Sequence, residues 1–146
     1  MIVVVSNLVE CGLVICGSYF KVAAMDLAEI IECCMSLPEV EETTPFGPNA
    51  LVYKVAGKMF AVTDPQRVPV GINLKCDPDR ALDLRDQYDA VQPGWHMNKR
   101  HWNTVELNGS LPTALLHDLV EHSYRLVVAG LKKEVRKRIE DRLDAS

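Results

Sequence analysis

The stretch from Val70 to Cys76 limits this chain more than any other. Val70, Ile72, Leu74 and Cys76 alternate with Gly71, Asn73 and Lys75, the period of two that puts one set of side chains on each face of a β-strand. Asp77-Pro78 follows at once. An aspartate can cap a helix N-terminus, and a proline fits the first helical position, whose N–H has no partner to lose. A strand with one apolar face therefore turns directly into a helix, reaching about Tyr88 and burying Ala81, Leu82, Leu84 or the Arg85 stem, and Tyr88.

The rest of the pattern fits around that junction. Leu27, Ile30, Ile31, Cys34 and Met35 recur at helical spacing, so the first helix is expected from about Asp26, its cap, to Leu37, with Pro38 closing it. Glu29, Glu32, Glu39, Glu41 and Glu42 read as an acidic surface at this end. Asn49 to Thr63 reads as a β-hairpin turning at Ala56-Gly57, where glycine supplies the positive φ of a two-residue turn. A further strand is expected from about Trp102 to Leu107, ending at Asn108-Gly109. A long helix then starts near Pro112, with Leu115, Leu116, Leu119, Val120, Leu126 and Val127 as its apolar stripe, and Gly130 breaks or kinks it before Lys132 to Leu143. Helix, strands with one inserted helix, then helix is the order of an α+β sandwich: an antiparallel sheet covered by helices on one face.

Met1 to Ala24 reads differently. Its apolar runs are interrupted by Ser6, Asn7, Glu10, Gly12 and Gly17, so it is too short for a membrane span, and no cation precedes the apolar run as a secretory signal requires. It is expected to be an upstream extension (or an added edge strand), with residues 25–146 forming one domain. The cysteines, Cys11, Cys16, Cys33, Cys34 and Cys76, are odd in number and lack zinc-ribbon spacing, so buried thiols in a reducing cytoplasm are expected. No phosphate-binding glycine loop or nucleophile elbow is present. His117 and His122, five residues apart, lie about 140° around a helix axis and do not share a metal. No cofactor, metal or enzymatic role is expected.

The formal net charge of −4 argues against indiscriminate coating of nucleic acid. The charge is uneven. Met25 to Pro93 carries twelve acids and six bases, Gly94 to Ser146 seven acids and nine bases, and all four histidines lie in the second part. At its start, Gly94 to Val105 gathers both tryptophans, His96, His101, Lys99 and Arg100. Rings beside cations suit nucleic acid; equally, the tryptophans can be core anchors and the cations a solvated rim. If Val105 and Leu107 face the core, alternation displays Trp102 beside Lys75 and Asn73, unless the alternation breaks first and buries it. The basic run Lys132 to Arg138 complements a helix C-terminus or extends a phosphate-contact surface.

The same segment carries a resemblance. Pro93 to Val105 and Leu107 to Pro112, preceded by Pro45-Phe46-Gly47-Pro48, Lys54 to Ala61 and Asn73-Leu74-Lys75-Cys76, resemble the MmcQ/YjbR family from about Met25 to Leu131. The resemblance implies a CyaY/frataxin-like two-layer sandwich and a small DNA-binding, non-enzymatic domain. Under it, Lys75, Lys99 and Arg100 would contact phosphates, while Trp95, His96, Asn98, His101 and Trp102 would stack or hydrogen-bond. The alternative is a protein-interaction or small-ligand module on the same surface. Iron on the acidic helix follows from fold analogy alone; a solvated acidic face is the reading adopted.

Overall fold

The computed structural model describes residues 25–145; the expectations for Met1 to Ala24 fall outside them. The elements run α1 (Leu27–Met35), β1 (Val40–Thr43), β2 (Leu51–Val55), β3 (Lys58–Thr63), β4 (Gly71–Lys75), α2 (Pro78–Gln87), β5 (Val91–Pro93), β6 (Trp102–Glu106), α3 (Thr113–Ala129) and α4 (Lys133–Ala145). The fold is α+β. All six strands pair antiparallel in one sheet, ordered β1-β2-β3-β4-β6-β5.

Local chemistry sets the junctions. Asp26 and Glu29 form a reciprocal capping box at the start of α1, satisfying two N–H groups that a helix start leaves open. Ala56 and Gly57 both have positive φ, 49° and 81°, the pair that twists a tight hairpin with its strands. Asp77 accepts from the Arg80 N–H, and Pro78 opens α2. Tyr88 serves as the extended residue closing α2.

The register fixes the two faces. One row crosses the whole sheet as Thr43, Val52, Val62, Asn73, Thr104 and Gln92. The neighbouring row carries Tyr53, Ala61 and Leu74, which pack into the core beneath the helices. A bulge between Tyr53 and Lys54 leaves Phe60 as the extra residue on β3, and Phe60 packs edge-on against Tyr124 of α3, 5.4 Å between centroids at 85°. Such a bulge re-aims a side chain; here it adds a phenyl ring to the core. Helix α3 lies along β2, β3 and β4, with α1 beside it, and buries Leu116, Leu119, Val120, Tyr124 and Val127. Ser123, buried among them, donates to the Phe60 carbonyl at 2.5 Å and accepts from the Lys75 N–H at 2.8 Å.

Three local expectations need correction. Strand β1 lies within the stretch read only as acidic surface: Glu41 and Glu42 are exposed there, but an edge strand tolerates charge because only one side of it is paired. Strand β5 has almost no signature in the sequence, because three residues ending in proline are too few to show a period. Leu82 is exposed rather than buried. Gly130 ends α3, and α4 starts separately at Lys133. Part of the basic run is occupied within the fold, since Arg138 and Arg142 both pair with Glu39, at 2.7 and 3.4 Å.

Candidate functional site

The face of the sheet away from α3 is roofed in part by the loop between β5 and β6. Gly94 begins that loop at a point of close approach: its N–H donates to the Trp102 carbonyl at 2.9 Å. A Cβ at Gly94 would lie 2.8 Å from the Trp102 Cβ and 3.0 Å from the Met97 Cβ. Only glycine lets the backbone cross there.

The loop is held by a polar lattice. The Trp95 N–H donates to the Thr104 hydroxyl at 2.8 Å, which donates to Asn73 Oδ1 at 2.5 Å; Asn73 Nδ2 returns to the Trp95 carbonyl at 3.3 Å. Lys99 Nζ folds back onto the Gly94 carbonyl at 2.7 Å, and Asn98 Oδ1 accepts from the Arg100 N–H at 2.9 Å. From the α2 side, Arg85 donates to Asn103 Oδ1 at 2.7 Å and to the carbonyls of Lys99 and Trp102. Asn103 is buried, and its Nδ2 has no partner among the described residues.

Trp102 is the clearest correction to the sequence reading. Alternation does place it on the outer face, opposite Lys75, yet it is only 7% exposed. The sheet face is not bare there, because the glycine crossing lets the loop lie close over it.

The proposed contact residues therefore separate. Trp95, 47% exposed, and His96 border an open pocket of about 410 Å³. Lys99 and Arg100 line a different depression, with Asp79 and Leu82 of α2. Asn98 and Lys99 brace the loop; Lys75 and His101 are half-buried, the His101 carbonyl accepting from the Cys76 N–H at 2.8 Å. The structure gathers Trp95 and His96 at one opening and leaves the cations at another.

The pocket beside Trp95 has no signature in the sequence. Its walls are mainly apolar: Phe46, Ala50, Met59, Val62 and Met97 line it with the Trp95 ring. Asp64, Arg67, Asn73 and His96 bring polar groups to the same opening. The Arg67 guanidinium carbon stands 4.3 Å from the Trp95 ring centroid, and the His96 ring 4.0 Å from it. His96 holds φ at 59°, a left-handed conformation that a non-glycine residue adopts at a cost of roughly 1–2 kcal/mol. That cost is accepted beside a binding-sized opening.

A second juxtaposition also escaped the sequence. Cys33 Sγ and His117 Nδ1 lie 3.2 Å apart although 84 positions separate them. Burial, then the nearby Glu121 charge, pushes the Cys33 thiol up from its ordinary value. His122 instead accepts from the Asp77 N–H at 3.2 Å, and burial lowers its pKa. No cluster of three or more metal-ligating side chains occurs among the described residues. No helix among them is long and apolar enough to cross a membrane.

Solved structures share this fold. A crystal structure of the Deinococcus radiodurans protein DR2400, with a DUF419 domain, superposes with a TM-score of 0.73 at 38% identity, covering 78% of this chain and 87% of that one. A Pseudomonas syringae protein does so at 0.62 and 27% identity, over 70% of this chain and 98% of its own. The uncharacterised protein YbdF of Escherichia coli O157:H7 is 43% identical over 105 residues, 72% of this chain and 86% of the relative. The uncharacterised YjbR of Escherichia coli K12 is 36% identical over 113 residues, 77% and 96% of the two chains. The YjbR family model matches residues 35–126. With that span and those identities, the chain belongs to the YjbR family.

Proposed function

We propose that this protein is a non-catalytic binding module whose seat is the pocket between the outer sheet face and the 94–101 loop. The observation that carries this reading is the opening of about 410 Å³ walled by Trp95, Phe46, Met59 and Met97 with a few polar groups. That size and mixture are typical of small-ligand sites. Methionines adapt to irregular shapes, and a tryptophan offers a flat face.

A second reading, DNA binding, is favoured by one observation. The exposed Trp95 shares its loop with the exposed Lys99 and Arg100. DNA binding then takes a specific form: a single strand puts one unstacked base at the Trp95 pocket and its phosphates toward Arg100. With Trp102 buried, this form relies on Trp95 for stacking. The two-layer arrangement supports the CyaY/frataxin-like assignment, and three free cysteines among the described residues support a reducing, cytoplasmic setting.

Titration with a labelled single strand, a duplex and a solvatochromic aromatic dye tests both readings. Trp95→Ala should weaken dye binding without shifting the melting curve. If the strand uses the same pocket, its binding should fall by about 1–3 kcal/mol. Arg100→Ala should flatten the salt dependence of strand binding by about 0.7 for the one lost phosphate contact and leave dye binding alone. A protein that takes up no dye, and binds DNA equally well as Trp95→Ala, would overturn the pocket reading.

A further inference from the structure

The pocket has one charged group that the fold does not use. Arg80, Arg125, Arg138 and Arg142 all pair with carboxylates, and Arg85 braces the loop. Arg67 is different. Its guanidinium sits over the Trp95 ring at the pocket wall, and among the described residues no carboxylate lies within 4.0 Å of it. Stacking over a ring leaves the in-plane N–H groups of a guanidinium at its edge, where they match the two oxygens of an oxyanion. Trp95 thus holds Arg67 in place without neutralising it.

The lining contains one carboxylate, Asp64, whose Oδ1 accepts from the Gln66 N–H at 3.0 Å. That bond faces its own turn and makes no ion pair with Arg67. Beyond Thr63, Asn73 and His96 the side chains lining the wall are mainly apolar, so a bound anion would meet Arg67 beside a surface of lowered dielectric, where a charge-assisted bond is worth more than in water.

We propose that the pocket binds an amphipathic anion: an apolar body against Phe46, Met59 and Met97, with a single oxyanion group, carboxylate or phosphate monoester, paired to Arg67. This rests on the pocket being the binding seat and names the chemical class it takes.

Two dyes with one ring system test it. Anilinonaphthalenesulfonate carries an anionic group, and N-phenylnaphthylamine lacks it. The sulfonate should bind at least about tenfold more tightly. Arg67→Gln should erase that advantage, weakening the sulfonate at least about tenfold more than the neutral dye, and Arg67→Lys should keep part of it. Asp64→Asn should improve sulfonate binding alone, because the asparagine Oδ1 still accepts from Gln66 while the repelling charge is gone. This variant and the loss of the sulfonate's advantage at high salt keep the test decisive if Arg67→Gln folds poorly. Naphthoate and naphthyl phosphate as competitors distinguish the two oxyanions, and displacement by neither would overturn the proposal. Equal affinity for both dyes, unmoved by Arg67→Gln, would overturn it and leave the pocket standing. Uptake of neither dye would remove the binding seat itself.

Discussion

The two faces of the sheet are closed by different physics. Beneath α1 and α3, closure is apolar and interlocked, with Phe60, Tyr124, Ile30, Ile72 and Val105 all almost wholly buried. On the other face, closure depends on a loop tied by Thr104, Asn73, Gly94 and Arg85, and next to it a pocket stays open. Apolar packing fills space wherever side chains fit, whereas a hydrogen-bonded loop covers only what its donors and acceptors reach. A face closed the second way can retain an opening without destabilising the core.

Cavity-creating substitutions on each face test this contrast most strongly. Phe60→Ala should cost about 3–5 kcal/mol in denaturant unfolding, because the helix layer cannot collapse into the space. Trp102→Ala should fall at or below the lower end of that range, since the covering loop can settle. Equal costs would mean that the outer face is as rigidly packed as the inner one.

Alkaline titration sharpens the inner side. Burial raises the Cys34 thiol on α1 from 9.0 to about 12, with neighbouring Cys33 adding to the shift. Between those values an unfolded chain has lost the proton and the folded one has kept it. The contribution is fully present below pH 9.0 and is lost as pH rises toward about 12, with a slope of up to about 1.4 kcal/mol per pH unit for one group. Cys34→Ala should make urea midpoints fall less steeply over that interval. An unchanged slope would show that the thiol is not shielded.

Thr104→Val gives the smallest effect and addresses the loop alone. It keeps the shape but removes the hydroxyl joining the Trp95 N–H to Asn73, at about 1–2 kcal/mol. Faster proteolysis within residues 94–101 at nearly unchanged core protection is expected. Global unfolding would instead make the outer lattice part of the core.

Legibility in the sequence follows the same division. The hairpin turn, the strand ending at Asp77-Pro78, the Asp26 cap and the stripe of α3 were readable because each depends on residues close along the chain. Edge strand β1 was masked by its own glutamates, and β5 was too short to show a period. Trp102's position on the outer face followed from alternation, but its burial depends on a glycine crossing eight positions earlier. The pocket draws Phe46, Met59, Arg67 and Trp95 from four separate segments, and Cys33 meets His117 across 84 positions. No local pattern encodes such meetings. The aromatic and basic string of Gly94 to Val105 looked like one surface, but the turn of the loop sends its ring and its cations to different openings.

Ser123 ties the sheet to the helix layer in a way that reaches into the timing of local opening. Its hydroxyl takes the Lys75 N–H and gives its proton to the Phe60 carbonyl, so one oxygen on α3 latches two adjacent strands. An amide at the last residue of a strand ordinarily frays and trades its hydrogen with solvent quickly. The Lys75 amide can do so only when α3 lifts from the sheet, so its exchange should keep pace with the slowest amides of the core. The last residue of β4 thus becomes a clock for separation of the two layers.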